Sequence, residues 1–207
     1  MTRGAATVAI LRARLHKEAR VLILGIGACA LLAYLQRYDG VPLQIAGSLV
    51  FGSLSGISAS LIARGSGRFG EIDLCELSAP LYGRELARAT ALVPCILASA
   101  ALSAYWTVAA IYAHVPAGAL VLSIAIVNAA TLVALRAGLA SGWHKALWVA
   151  AACAVAGGGY ALSKAPIAVA IGACVLVGFL ALRQYGEALA RYDPLDGLYR
   201  RRGRELL

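Results

Sequence analysis

Long apolar runs, rather than a one-sided helical stripe, dominate this chain. Six can be marked: Ala19–Gln36, Leu43–Ala63, Ala87–His114, Ala117–Leu135, Ala146–Leu162 and Ala165–Leu182. Runs of about 17 to 25 mostly apolar residues match a helix crossing the ~30 Å hydrocarbon core of a bilayer. The third run is longer than one crossing needs, so it is expected to tilt or to project from the bilayer. The connections after the first, third and fifth runs are very short, which makes each of those pairs a helical hairpin. The pattern predicts an all-α, polytopic membrane bundle of six transmembrane helices in a single domain spanning 1–207. The first run is read as a retained first span rather than a cleaved signal.

Two polar stretches interrupt this pattern. In residues 1–18, Val8, Leu11 and Leu15 recur at helical spacing with Ala19. Arg12, Arg14, Lys17 and Glu18 fill much of the other side, and Arg14 and Glu18 form an i,i+4 pair. This predicts an N-terminal interfacial helix lying on the inner membrane surface. The other stretch is EIDLCELSAPLYGRELARA, residues 71–89. Within eighteen residues it carries Glu71, Asp73, Glu76, Glu85, Arg84 and Arg88. It follows the flexible connection RGSGRFG. Glu71 and Asp73 suit the first turn of a short helix over 71–79, because carboxylates are favoured at a helix N-terminus. Pro80 disfavours helical geometry at Ala79 and ends it. A second helix then begins near Pro80 or Gly83 and runs into the third span through Arg84 and Arg88.

Within the spans, small residues stand out. Ser48, Gly52, Gly56 and Ser60 repeat every four residues and put a helix-packing face on the second span. Close packing in the bundle or a dimer is the main reading, a substrate-lining face the alternative. Three glycines at 157–159 in the fifth span fit either a bend or a close approach of another helix.

Composition and charge then fix orientation. Only 14% of residues are charged, against about 25% in an ordinary soluble domain, and the mean hydropathy is +0.78. Of the 19 lysines and arginines, 17 fall in the N-terminal segment, the 64–88 connection, the connection after the fourth span and the 183–207 tail. Only Arg37 and Lys164 fall on the opposite side. The positive-inside rule therefore places both termini and the 64–88 connection in the cytoplasm. The net charge of +9 is a topology signal suited to anionic membrane lipid, and it does not indicate nucleic acid, which would call for basic residues interleaved with aromatics on a soluble face.

Chemistry is scarce. Almost no ionisable side chain falls inside a span, and Asn128 is the most polar residue well within one. That argues against a proton relay or intramembrane catalysis. His16, His114 and His144 form no H-E-x-x-H pair, and the five cysteines form no C-x-x-C pair, so no metal or cofactor site is assigned. DPLDGLYRR, residues 193–201, resembles the first half of the CDP-alcohol phosphotransferase signature. The downstream aspartates that would complete the metal site are missing. No G-x-x-x-x-G-K-[ST] phosphate loop occurs, so the chain does not bind ATP by that route.

The basic surface helix, six spans, internal termini and short helix between spans two and three together resemble the permease subunits of type-2 ATP-binding-cassette (ABC) exporters. The resemblance in the 71–89 segment rests on Glu76, Leu77, Ser78, Pro80, Gly83, Arg84, Leu86 and Arg88. Gly83 stands where that family often has serine. The connection is short for the family, and no extracellular helical insertion separates the fifth and sixth spans. The resemblance implies a non-enzymatic transport subunit of a bacterial cytoplasmic (inner) membrane. Its 71–79 helix would be a coupling helix, with Glu71, Asp73, Glu76, Pro80, Arg84 and Arg88 as the coupling residues. It also implies a separate ATPase subunit that binds ATP in trans and a second permease copy or homologue. Two other readings stay open: a structural or assembly subunit of a larger membrane complex, and a substrate-binding membrane subunit of a vitamin or metal importer.

Overall fold

The structure, a computed structural model, describes residues 3–40, 42–50, 52–54, 83–112, 117–137, 139–140, 143–162 and 164–191, with backbone alone at 3–7, 13–22, 83–84, 117, 160 and 162. All regular structure among these residues is helical: α1 (Arg3–Leu35), α2 (Pro42–Leu54), α3 (Gly83–Tyr112), α4 (Ala117–Ala137), α5 (Trp143–Leu162) and α6 (Ile167–Ala190). Three stretches are long and apolar enough to cross a membrane: Glu85–Tyr112, Gly118–Ala137 and Ile167–Ala190. They make this an all-helical membrane protein.

Three boundaries differ from the apolar pattern. The segments 1–18 and 19–36, read as a surface helix and a span, are one helix from Arg3 to Leu35. No glycine or proline lies between Ala5 and Leu24, so nothing in the backbone breaks the helix where the side chains change character. Ile10 is buried against Leu86, Ala87, Tyr185 and Leu189. At the other end of the chain, α6 continues eight residues past Leu182, into the segment read as tail. There Arg183 and Glu187 pair at i,i+4 with 3.0 Å between Nε and Oε1, while Tyr185 and Leu189 are buried. Amphipathic packing sustains the helix after the apolar run has ended. Finally, α5 runs through Gly157, Gly158 and Gly159 as a helix.

Helix ends gather in two groups. Ile10, Leu86, Leu135, Leu139, Tyr185 and Leu189 meet in one apolar cluster. The N-terminal part of α1, the start of α3, the end of α4 and the end of α6 therefore share one end of the bundle. At the opposite end the rings of Tyr34 and Tyr112 meet edge to face, 6.1 Å between centroids, and Ile167 reaches Gly118. The Arg37 guanidinium lies 4.2 Å from the Tyr34 ring centroid and 4.6 Å from that of Tyr38. At the first end Arg136 lies 5.7 Å from the Trp148 centroid, and Trp143 is exposed. Aromatic rings at both ends of a bundle suit the two membrane interfaces, where an apolar ring with a polar edge is favoured.

α4 lies centrally, packed against α3, α5 and α6, while α3 also touches α1 and α6. Small residues let these backbones approach. A methyl group on Gly52 would stand 3.0 Å from Val127 Cγ2 and 3.3 Å from Leu102 Cδ1, so α2 seats against both α3 and α4. In lipid, where apolar area alone gives helices little reason to associate, such close van der Waals contact is a main source of cohesion.

Candidate functional site

Of the six candidate coupling residues, Glu71, Asp73, Glu76 and Pro80 lie outside the described residues, as does the 71–79 helix they would form. Arg84 and Arg88 lie on the first two turns of α3, and the Arg88 side chain is exposed. α3 is a single helix of 30 residues, about 45 Å at ~1.5 Å per residue. It joins the end carrying most of the described basic groups, Arg12, Arg88, Arg136, Lys145, Arg183 and Arg191, to the opposite end of the bundle. Of the packing stripe, Ser48 and Gly52 are buried. Ser48 Oγ donates to the Ile45 carbonyl at 2.8 Å. Gly56 and Ser60 lie outside the described residues.

Polar side chains fasten α3 at three depths. Near its start, the Thr90 and Tyr185 hydroxyls share a buried hydrogen bond of 3.1 Å that ties α3 to α6. Thr90 Oγ1 also donates to the Leu86 and Ala87 carbonyls, at 2.9 and 3.2 Å; one proton serves one acceptor at a time. One turn on, Pro94 stands inside the helix. It has no N–H for the Thr90 carbonyl, a natural point of bending. At mid-length, Asn128 Nδ2 of α4 donates to Ser99 Oγ at 3.0 Å and to the Ile124 carbonyl at 2.9 Å. Near its far end, the fully buried Tyr105 hydroxyl donates to Gln36 Oε1 at 2.7 Å and faces the Gln44 carbonyl at 3.0 Å.

These contacts escape a reading by sequence alone. Gln36 and Gln44 look like ordinary span ends, Thr90 and Tyr105 look like apolar-run residues, and Tyr185 looks like part of the tail. The only signal is that a buried hydroxyl or carboxamide in a membrane must find a partner. Outside the spans, Arg37 binds its proton more tightly than an ordinary arginine. The main cause is a side-chain hydrogen bond with Tyr38, opposed by partial desolvation and reinforced by the tyrosines around it.

Among the described residues no three His, Cys, Asp or Glu side chains gather as a metal site. A cleft of about 250 Å³ opens between α4 and α6, lined by Asn128 and otherwise by apolar or small residues including Leu132, Cys174, Gly178 and Phe179. No protein-family model, curated protein or solved structure matches the chain.

Proposed function

We propose that this chain is the membrane-spanning permease subunit of an ABC exporter, driven by a separate ATPase subunit that docks on the cytoplasmic 71–89 segment. The observation that carries the reading is α3. It is one continuous helix rising from the charged segment to the far end of the bundle, fastened on its way to α6, α4 and the α1–α2 hairpin. A push at Gly83–Arg88 is then delivered first to α6 through Thr90, and past Pro94 to α4 and the α1–α2 hairpin. The 17-to-2 division of lysine and arginine supports a cytoplasmic placement of that segment in a bacterial inner membrane, with anionic lipid at the basic end. The missing phosphate loop fits ATP hydrolysis in trans, and two permease copies would complete the unit.

The alternative is a structural or assembly subunit. The observation favouring it is the outward face of α5, where Ala150, Cys153, Ala154, Gly157, Gly158 and Ala161 are all exposed, a surface shaped for another helix. One experiment separates the two. Affinity purification from the native membrane in mild detergent is expected to bring down an ATPase subunit, which is lost on Glu76→Arg. A stable complex that contains no ATPase overturns the exporter reading and leaves the assembly role.

A further inference from the structure

We infer that the Tyr105 hydroxyl is a latch that makes the α1–α2 hairpin and α3 one moving body. Apolar contact alone does not set the hairpin's register in a membrane, because lipid tails solvate leucine as well as another leucine does. The hairpin meets lipid or another neighbour broadly: Ile23, Leu24, Leu31, Leu35, Leu43, Val50 and Leu54 are all exposed. Near the turn, its buried apolar contacts on the α1 side use the small Cys29 and Ala33, with the larger Ile10 buried at the other end of the bundle.

The polar knot does fix one position. A single Tyr105 proton faces one acceptor from each arm of the hairpin, Gln36 Oε1 beyond the end of α1 and the Gln44 carbonyl in the first turns of α2. Gln44, itself 2% exposed, donates from Nε2 to the Gln36 and Asp39 carbonyls at 3.3 and 3.2 Å, which closes the turn on itself. Gln36 Nε2 lies 3.4 Å from the Leu43 carbonyl. Gly47 completes the device. A methyl group there would overlap the Gln36 carboxamide, so only glycine leaves that side chain its place. The Tyr105 hydroxyl is fully buried and its bond to the Gln44 carbonyl is buried too, so sliding the hairpin along α3 would leave that hydroxyl and that carbonyl without their partner. Motion of α3 is therefore shared by the hairpin at the far end of the bundle. The latch is independent of what drives α3.

Hydrogen exchange on the full-length chain in lipid nanodiscs tests it, with Tyr105→Phe and Gly47→Ala compared against Tyr112→Phe at the same end of the bundle. Both latch variants are expected to speed exchange in residues 36–47 about three- to tenfold, leaving 118–137 unchanged. The control should leave both segments unchanged. Unchanged exchange at 36–47 in Tyr105→Phe overturns the latch, as does an increase spread evenly over all helices. Should Tyr105→Phe fail to assemble, Gly47→Ala decides by the same two criteria, because it displaces Gln36 without touching α3. No ATPase is needed, so failure here is distinct from failure of the transport reading.

Discussion

α5 and α6 are consecutive in the chain and both pack on α4, yet they present opposite faces to their surroundings. α6 turns Val169, Val175, Leu176, Phe179 and Leu180 outward, with Phe179 61% exposed. α5 turns outward Ala150, Cys153, Ala154, Gly157, Gly158 and Ala161, and among its described side chains the large exposed apolar ones, Trp143 and Leu147, lie in the first turns. Both helices use a glycine inward, Gly159 against Ile126 and Gly178 against Leu132. The difference lies in where the remaining small residues go. Side-chain bulk in a membrane records neighbours, because apolarity is common to every face. α6 carries the bulk expected toward acyl chains, and α5 has a bare flank.

The sharpest way to break that comparison is at Gly159. A methyl group there would stand 2.5 Å from Ile126 Cγ2 and 2.8 Å from Ile126 Cδ1. Ile126 is β-branched and buried, so it has little room to turn away. Gly159→Leu is expected to destabilise the bundle by about 3 kcal/mol through overpacking, read as lost unfolding free energy in detergent. Placing it in an Ile126→Ala background should recover part of the loss, since the two changes act on one contact. Equal losses in both backgrounds would remove the α4–α5 contact from the comparison.

A single added methyl group in α6 is expected to have a milder effect. Gly178→Ala brings a methyl group to 3.1 Å from Leu132 Cδ1, the tip of a flexible, half-buried side chain that can give by a few tenths of an ångström. A cost of about 1 kcal/mol is expected, at the low end of overpacking, measured by the same unfolding assay. A cost as large as that of Gly159→Leu would show that α6 is held as rigidly as α5 and erase the distinction between the inward glycines.

The parts of this architecture visible in the sequence are those written as runs and periods. Apolar runs give α3 and α4 to within a few residues, and the four-residue repeat of Ser48 and Gly52 marks a face that is buried where it is described. Continuity was harder to see. The change from charged to apolar side chains near Ala19 looks like a boundary, but helix breaks follow backbone chemistry, and α1 contains none there. The end of α6 was obscured for the converse reason: after Leu182 hydropathy falls, while Tyr185 keeps the helix docked through a hydroxyl partner 95 residues away at Thr90. Such long-range pairs have no signature at either position. The same holds for Tyr105 with Gln36 and Gln44, where three unremarkable residues become a junction only when the fold brings them together. The candidate coupling residues Glu71, Asp73, Glu76 and Pro80 are legible only as a pattern in the sequence.

The smallest expected effect has the opposite sign. Gly157 and Gly158 are exposed, and a methyl group on either would meet nothing within 4 Å. Gly158→Ala should therefore stabilise the isolated chain, by up to about 1 kcal/mol, because alanine loses less conformational freedom than glycine in a helix. Unfolding in detergent measures it. A loss instead of a gain would mean that the outer flank of α5 is occupied or strained even in the single chain, and the contrast with α6 would fail. A gain sharpens it, for it separates one run of three glycines into two uses. Gly159 is required by the approach of α4. Gly157 and Gly158 cost the single chain stability and repay it with no contact of their own. The helix passes through all three glycines without a break. Their smallness on an outward face is a property that a neighbouring helix can use.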